Sequence, residues 1–332
     1  MAYKVLIIGC GAIAGGYDAE RSPDDWPLSH AGAIARDDRF DIWACFDTDD
    51  DARYDFMDRW DVPICLGELE PPFAKPGDFD VVVIASPTQF HAEHLEYALT
   101  LRPKLVFCEK PLAADLEGAR NLAAQFDTAR IPLAVNYTRR WAPDLVELAQ
   151  EVRAGDWGTL ISAIGTYTKG IVHNGSHMVD LLGMFVGEMR VHSVGPGWCD
   201  FWDDDPTVST MLTTGDLGLP IHLIAGDAEH VTHFELVLNY ERGEIAMRDG
   251  GMRIETRRVQ DSETFAGYRQ LGLPERMPGR YPEAMTQAYA NIAEALDTGA
   301  RLASTAQNAI EAHKFCEEIR LKALETIKKD PE

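Results

Sequence analysis

The chain has 332 residues, 45% of them hydrophobic, and it carries a formal net charge of −23 at pH 7. This length exceeds what one hydrophobic core usually serves, so we expect two domains. The negative charge repels phosphate backbones and anionic lipid surfaces, which disfavours nucleic acid and membrane partners. An anionic ligand would therefore need a local basic pocket.

The six cysteines are scattered without a C-x-x-C pair, and most of them lie in apolar, strand-like runs. This pattern favours reduced, buried thiols in a cytoplasmic protein. No basic-then-apolar leader precedes the first strand-like run, and no apolar run approaches the roughly 18 residues needed to span a bilayer. We therefore expect a cytoplasmic protein without a membrane segment.

Residues 1–136 alternate short β-rich runs with helical runs, as a parallel sheet with crossover helices requires. Helices are predicted over Thr88–Leu101 and Asp115–Phe126, where apolar residues recur at three- and four-residue spacing. The predicted strands are Lys4–Ile8, Phe40–Phe46, Val81–Ala85, Leu105–Cys108 and Pro132–Asn136. The predicted fold class is thus α/β, with a doubly wound parallel sheet in residues 1–136.

Residues 137–332 change to an alternating pattern, seen best in Phe234–Tyr240, where every second side chain is apolar. This pattern predicts an α+β domain with a large, open, mainly antiparallel sheet buried on one face. Further strands are predicted at Leu160–Tyr167, Arg190–Gly195, Val208–Thr213, Ile221–Ala225, Glu244–Arg248 and Arg253–Val259, and helices at Pro282–Leu296 and Thr305–Leu324. The open face needs cover, so we expect a homodimer or homotetramer that assembles through this sheet.

The first predicted strand runs into the motif G-x-G-x-x-A, from Gly9 to Ala14. Gly9 allows a tight turn, Gly11 removes the side chain that would block a pyrophosphate, and Ala14 permits close packing of helix on strand. The N-terminus of the helix expected there, with Ala12 and Ile13, would offer N–H groups to the phosphates. Residues 1–136 are therefore predicted to bind a dinucleotide in the manner of a Rossmann domain.

Asp47 closes the second predicted strand, where a carboxylate binds the ribose hydroxyls and repels a 2′-phosphate. This favours NAD over NADP, although Asp47 as a simple loop cap is the alternative. Gly11 and Asp47 lie 36 positions apart (47 minus 11), against the usual separation of about 20. We attribute the excess to an insertion at residues 17–28, which either covers a ligand or is a passive loop.

Lys110 follows the apolar run Leu105–Cys108 in the step Glu109-Lys110-Pro111. A lysine at the carboxyl end of a buried strand lies in the crevice where such sheets bind ligands. There its ammonium can stabilise an alkoxide-like oxygen as charge develops. A surface lysine after a strand is the alternative.

These motifs together resemble the Gfo/Idh/MocA oxidoreductases, named for glucose-fructose oxidoreductase and inositol dehydrogenase. The resemblance is carried by Gly9-Cys10-Gly11, Ser86-Pro87-Thr88 with His91, Glu109-Lys110-Pro111, Arg139-Arg140 and Gly175-Ser176-His177-Met178-Val179-Asp180. It implies a nicotinamide dinucleotide, a sugar, cyclitol or nucleotide-sugar substrate, and hydride transfer at a carbinol carbon. It also implies that Lys110 and His177 act at the reacting centre and that Lys110-Pro111 is cis.

Oxidation of an alcohol needs a base within hydrogen-bond reach of the hydroxyl, and imidazole titrates near neutral pH. His177 follows a predicted helix start at Asn174, whose positive end would favour the neutral ring. Many relatives carry aspartate four residues before this histidine, whereas this chain has His173. Asp180 either orients His177, reaches a substrate hydroxyl or forms a helix salt bridge.

Further residues are predicted to bind the ligands, each with a structural role as the alternative. Ser86, Pro87, Thr88, His91 and Glu109 are expected beside the cofactor with the glycine turn and Asp47. Arg139, Arg140 and Lys169 would hold a carboxylate or phosphate of the substrate. The expected substrate site comprises Lys110, Arg139, Arg140, Lys169, His173, Asn174, His177 and Asp180.

Three other functions fit parts of the pattern. His173, His177 and Asp180 are ligand types found in metal hydrolases, but a helix that begins at Asn174 leaves His173 outside it, and we expect no metal. A regulator that binds the nucleotide without turnover would keep the fold. A glycosidase that oxidises its substrate transiently with NAD is the third, and release of free sugar without net NADH would identify it.

Overall fold

The structure is a computed structural model that describes residues 2–69 and 74–327. The chain divides into two compact units. Unit 1 is drawn from residues 1–141 and 282–310, and unit 2 from residues 142–281 and 311–332. The predicted domains meet at a single boundary after residue 136, whereas unit 1 also contains a later segment of the chain, residues 282–310.

Unit 1 is built on a six-stranded parallel sheet with the order β3-β2-β1-β4-β5-β6. Its strands are β1 (Tyr3–Ile8), β2 (Phe40–Phe46), β3 (Ile64–Leu66), β4 (Val81–Ile84), β5 (Leu105–Cys108) and β6 (Leu133–Val135). The order runs outward in opposite directions from β1 and β4, so the sheet has its topological switch point between these two strands. The α/β fold class predicted from the sequence is confirmed.

Among its described residues, this unit contains the helices α1 (His30–Ile34), α2 (Asp50–Trp60), α3 (His91–Leu101), α4 (Leu116–Ala129) and α7 (Ala284–Thr298). The carboxylates of Asp49 and Asp115 accept backbone N–H groups at the starts of α2 and α4, as good N-caps do. The predicted helix from Thr88 begins at His91, because residues 88–90 form a 3-10 turn.

The glycine turn after β1 continues into one helical turn, in which the Gly15 N–H donates to the Gly11 carbonyl at 3.2 Å. The predicted helix does not continue from there, because the insertion leaves the helical path. The N–H groups of His30 and Ala31 then donate to the carbonyls of Ile13 and Ala14, at 3.0 and 2.8 Å. If residues 17–29 are left out of the count, these bonds join residues four positions apart, as in an α-helix. Helix α1 therefore continues the first helical turn, and the insertion interrupts this helix.

Asp18 closes this insertion. Its carboxylate accepts the N–H of Leu28, the N–H of Ser29 and the Ser29 hydroxyl. The Ser29 hydroxyl oxygen in turn accepts the N–H of Gly32 and caps α1. Without residues 17–29, the separation of Gly11 from Asp47 would fall from 36 to 23 positions, close to the usual value of about 20.

Unit 2 contains a nine-stranded sheet in which β14-β13-β12-β11-β7-β10-β9-β8 are neighbours and β15 pairs with β13. The strands are β7 (Leu160–Tyr167), β8 (Met189–Trp202), β9 (Asp205–Thr214), β10 (Pro220–Ala225), β11 (Phe234–Tyr240), β12 (Gly243–Arg248), β13 (Arg253–Asp261), β14 (Arg269–Leu271) and β15 (Glu275–Pro278). Only β7 and β10 pair in parallel among these described strands. The prediction of a large, mainly antiparallel sheet is confirmed.

Helices α5 (Pro143–Ala154) and α6 (Gly175–Val186) belong to unit 2, and α8 (Ala306–Ile327) ends the described chain. A π-helical turn, Gly170–Asn174, leads directly into α6. Side chains of β11 alternate between buried and half-buried along the strand, so one face of the sheet is covered within the unit. In residues 2–69 and 74–327, no helix is both long and apolar enough to cross a membrane.

Candidate functional site

A cavity of about 940 Å³ opens in unit 1 at the carboxyl ends of β1, β2 and β4. This is the edge of the sheet, beside the switch point, at which doubly wound folds bind ligands. Seven residues predicted to bind the cofactor line it: Gly9, Gly11, Ala12, Ile13, Asp47, Ser86 and Pro87. The structure therefore brings most of the predicted cofactor residues together around one space.

The two glycines of the turn have different roles. Gly9 has φ +95°, and a Cβ at this position would lie 2.5 Å from the Ser86 nitrogen, so glycine lets the turn pack on the end of β4. A Cβ on Gly11 would meet no atom within 4 Å. Packing within the protein therefore does not require glycine at position 11. Because Gly11 lines the cavity, the absence of a side chain leaves space there for a ligand.

The amide groups of this turn are available to an anion. In residues 2–69 and 74–327, no backbone carbonyl accepts the N–H of Gly11, Ala12 or Ile13. Unpaired amides at the first turn of a helix form a site for phosphate groups. Ala14 is buried and does not line the cavity, in keeping with its predicted packing role.

Asp47 lies at the end of β2, and its side chain is fixed by the backbone. One carboxylate oxygen accepts the Cys10 N–H at 2.8 Å, and the other accepts the Asp49 N–H at 3.0 Å. A carboxylate oxygen can accept more than one hydrogen bond, so ligand hydroxyls can still bind. Asp47 thus ties the β1 turn to the β2 turn and presents a negative charge to the cavity.

Helix α3 carries two histidines: His91 was predicted to lie beside the cofactor, and His94 is the one that lines the cavity. His91 is buried, and its ring nitrogens lie 2.7 Å from the Pro111 carbonyl and 2.9 Å from the Ser86 carbonyl. It does not line the cavity, and neither does Thr88. His94, one turn later, does line it and pairs with the Ser86 hydroxyl at 2.8 Å. Burial lowers the pKa of His94, which keeps the imidazole neutral at pH 7.

Glu109 belongs to a buried hydrogen-bond network of unit 1, directly before Lys110. Its Oε1 accepts His30 Nε2 at 3.0 Å and Asn136 Nδ2 at 2.6 Å, and His30 Nδ1 lies 2.9 Å from the Tyr289 hydroxyl. Burial raises the pKa of Glu109, but His30, Asn136 and the Lys110 charge outweigh it and hold the pKa below its usual value. Ionised Glu109 therefore anchors the chain at the end of β5.

Lys110 follows this anchor in the loop after β5, half-buried, and the Lys110-Pro111 peptide bond is cis. Neither Glu109 nor Lys110 lines the described cavity. Arg139 and Arg140 lie in the 3-10 turn Thr138–Trp141 after β6, where Arg139 is buried and Arg140 is half-buried.

The other predicted substrate residues follow one another in unit 2. Lys169 has φ +64° and precedes the π-helical turn, which contains His173 and Asn174. His177 lies in the first turn of α6, half-buried, and Asp180 is buried one turn later. The Asn174 amide donates to the Thr168 carbonyl at 2.9 Å and so joins this turn to the end of β7.

The hydrolase alternative needs a cluster of metal ligands. Within residues 2–69 and 74–327, three or more potential ligand residues place one ligand atom each within 4.8 Å of all the others only at Asp227, Glu229 and His230. His173, His177 and Asp180 do not form such a group. His173 Nδ1 is instead 2.8 Å from Asp205 Oδ2.

Comparison with known proteins supports the interpretation of the cavity. Residues 3–137 match the profile of the Gfo/Idh/MocA group, described as an oxidoreductase family with an NAD-binding Rossmann fold. Residues 3–137 are thus similar to the NAD-binding domain of that family. This match agrees with the resemblance indicated by the sequence motifs.

Curated proteins similar to this chain include the rhizopine catabolism protein MocA of Rhizobium meliloti, 33% identical over 86 residues. That match covers 26% of this chain and 27% of MocA, so the chain spans about a quarter of that relative. Inositol 2-dehydrogenase of Rhizobium meliloti (strain 1021) is 23% identical over 256 residues, which is 71% of this chain and 76% of the relative.

Solved structures share the fold. An oxidoreductase from Agrobacterium radiobacter, in complex with NAD⁺, L-tartaric acid and magnesium, matches with a TM-score of 0.72 at 16% identity. The match covers 98% of this chain and 97% of the other. At this identity the likeness shows the fold alone.

Three residues of these sites were not found from the sequence: His94, His30 and Asp205. His94 could have been found, because it follows His91 by three residues on the same helix face. His30 and Asp205 gave no local signal, since each reaches its partner across a long sequence separation.

Proposed function

We propose that this protein is an NAD-dependent dehydrogenase or reductase, which transfers a hydride between nicotinamide and a carbinol or keto carbon of a sugar, cyclitol or nucleotide-sugar. The observation that carries the proposal is the cavity at the switch point of the parallel sheet. Its glycine turn presents unpaired amides for a diphosphate, and its Asp47 carboxylate suits ribose hydroxyls.

The preference for NAD over NADP follows from charge. Asp47 would repel the 2′-phosphate of NADP and accept hydrogen bonds from the free ribose hydroxyls of NAD. The cavity lining contains two further acidic residues, Glu68 and Glu93, and no lysine or arginine among the described residues. NADP is therefore the less favoured cofactor.

The reaction separates one hydride from one proton. When an alcohol is oxidised, the hydride leaves the carbon for the nicotinamide ring, and the hydroxyl proton must pass to a base. We assign that base to His177 in the first turn of α6. We assign stabilisation of the developing negative oxygen to the Lys110 ammonium, because a charged donor binds an alkoxide more strongly than a neutral alcohol.

The names of the relatives support the proposed substrate class. The curated matches are named for rhizopine catabolism and for inositol 2-dehydrogenase. A polyhydroxylated ring is the substrate type indicated by the latter name. We assign Arg139, Arg140 and Lys169 to a phosphate or carboxylate on the larger members of this class.

The test is a turnover screen of cyclitols, sugars and nucleotide-sugars with NAD and NADP, followed by Lys110→Met and His177→Gln. We expect each substitution to lower kcat by roughly two to four orders of magnitude, with NADH binding retained. Lys104→Met and His192→Gln are matched controls, because both side chains are exposed.

Near-normal turnover in either site variant would reject that assignment. Binding of NADH with no turnover of any compound would favour a regulator over an enzyme. Release of free sugar from glycosides without net NADH would instead favour the glycosidase.

A further inference from the structure

Tyr17 is the first residue of the insertion, and among the described residues of that segment it alone lines the cavity of unit 1. Its backbone N–H donates to the Ala12 carbonyl at 2.8 Å, which joins it directly to the glycine turn. Its side chain is 55% exposed, and no hydrogen bond within residues 2–69 and 74–327 involves its hydroxyl. An aromatic ring thus lies at the edge of the glycine turn with its polar group free to bind a ligand.

Asp18, the next residue, fixes this part of the insertion. Its carboxylate is 8% exposed and accepts the N–H groups of Leu28 and Ser29 at 2.9 and 2.8 Å. A Cβ on Gly32 in α1 would lie 2.2 Å from Asp18 Oδ2, so the absence of a side chain there lets the carboxylate approach the helix. Tyr17 is therefore held on both sides, by its own N–H and by the residue that follows it.

The charges around the cavity explain why such a residue is useful. A dinucleotide brings an anionic diphosphate, but Asp47, Glu68 and Glu93 are acidic, and no lysine or arginine lines the cavity in the part of the chain that the structure describes. Uncharged donors must then bind the phosphate oxygens. The unpaired amides of the glycine turn are such donors, and a phenol hydroxyl beside them is another.

We propose that Tyr17 completes the diphosphate site of this protein: its hydroxyl donates a hydrogen bond to a phosphate oxygen of the bound dinucleotide, and its ring shields the glycine turn from water. This inference rests on the proposed function and adds to it a residue that lies outside the glycine motif. A hydrogen bond to a charged acceptor is stronger than one to a neutral acceptor, and exclusion of water strengthens it further. The insertion thereby contributes to ligand binding through its first residue.

The experiment separates the parts of the dinucleotide. Binding of NADH is measured by fluorescence titration, binding of ADP by calorimetry, and binding of adenosine by its competition with NADH. Tyr17→Phe removes only the hydroxyl and should weaken the binding of NADH and of ADP by about 3- to 10-fold. Tyr17→Ala also removes the ring and should weaken both by about 10- to 30-fold. Adenosine has no phosphate, so its affinity should change by less than about twofold in either variant.

Two matched controls come from the same unit. Trp26→Ala removes another exposed aromatic side chain of the insertion, and Tyr54→Phe removes the hydroxyl of an exposed tyrosine in α2; neither residue lines the cavity. Both variants should bind NADH and ADP as the wild type does. Because Tyr17 is exposed, Tyr17→Ala should unfold at the same urea concentration as the wild type.

Other results would overturn this inference. Wild-type affinity for NADH in Tyr17→Ala would make the insertion a passive loop. A loss for NADH but not for ADP would assign Tyr17 to the nicotinamide half, and an equal loss for adenosine would assign it to the adenosine half; both contradict a diphosphate contact. In all these cases the wild type still binds NADH, so the proposed function stands. If the wild type binds neither NADH nor ADP, the proposed function fails together with this inference.

Discussion

The two glycines of the turn after β1 lead to opposite predictions. In Gly9→Ala, the new methyl group would be placed at φ +95°, 2.5 Å from the Ser86 nitrogen and 2.7 Å from its Cα. These are backbone atoms and cannot rotate away. In Gly11→Ala, the methyl group would contact no atom within 4 Å and φ lies outside the left-handed region, but it would project into the cavity.

The magnitude for Gly9→Ala combines three effects. A non-glycine residue in the left-handed region costs roughly 1–2 kcal/mol. Overpacking costs about 1–3 kcal/mol, and the lower entropy of unfolded alanine returns about 0.4–1 kcal/mol. We therefore expect the free energy of unfolding to fall by about 2–4 kcal/mol, which lowers Tm by roughly 5–15 °C for a unit of this size. Gly11→Ala should change it by less than about 0.5 kcal/mol.

Urea denaturation and fluorescence titration with NADH measure the two effects separately. Gly11→Ala should fold as the wild type does and bind NADH at least about tenfold more weakly, a loss of about 1.4 kcal/mol. Gly9→Ala should unfold at lower urea concentration. Wild-type stability in Gly9→Ala would refute the close-packing argument, and wild-type NADH affinity in Gly11→Ala would refute the position of the diphosphate.

Three further predictions concern charge, pH and assembly. Asp47→Ser removes the carboxylate that opposes a 2′-phosphate, so the ratio of kcat/KM for NADP to that for NAD should rise about tenfold or more; an unchanged ratio would contradict the role of Asp47. The pKa of Glu109 is lower in the folded than in the unfolded protein. Its ionised form therefore stabilises the fold fully at pH values above the unfolded pKa of about 4.3. This stabilisation is lost as pH falls through the folded pKa. Urea unfolding of Glu109→Gln between pH 3 and 6 should therefore depend less on pH than that of the wild type. Ile164 and Ile224 are exposed on the neighbouring strands β7 and β10. The double substitution Ile164→Asp, Ile224→Asp should dissociate a homo-oligomer that assembles through this sheet, and sedimentation velocity would then show a smaller particle.

The strands were predictable because burial leaves a direct pattern in the sequence. The bounds of β2, β5, β7 and β11 agree with the predictions. The pattern is clearest in β5, which is a continuous apolar run, and in β11, which alternates strictly. Strand β3 and helix α2 were missed: β3 has three residues, and α2 buries only Phe56. Strand β8 extends to Trp202, beyond the predicted end at Gly195, because register shifts along its pairing with β9 break the alternation.

The candidate sites were predictable where a motif is local. The glycine turn, Asp47 and the step Glu109-Lys110 each lie at the end of a strand, so their position follows from the sheet. The pairs His30 with Glu109 and His173 with Asp205 join residues far apart in the chain. Such contacts depend on tertiary packing, and no periodicity or spacing in one sequence records them.

The insertion between Tyr17 and Ser29 interrupts a helix. The helical hydrogen bonds across the interruption hold the two ends of the insertion close together, whatever lies between them. Its length is therefore free to vary with little effect on the framework around it. Tyr17 lines the cavity, and Asp18 with Leu28 and Ser29 closes the insertion. The residues between Asp18 and Leu28 therefore offer a place for a fluorescent label or a grafted peptide close to the glycine turn. A reporter of cofactor occupancy could be built there without altering the strands.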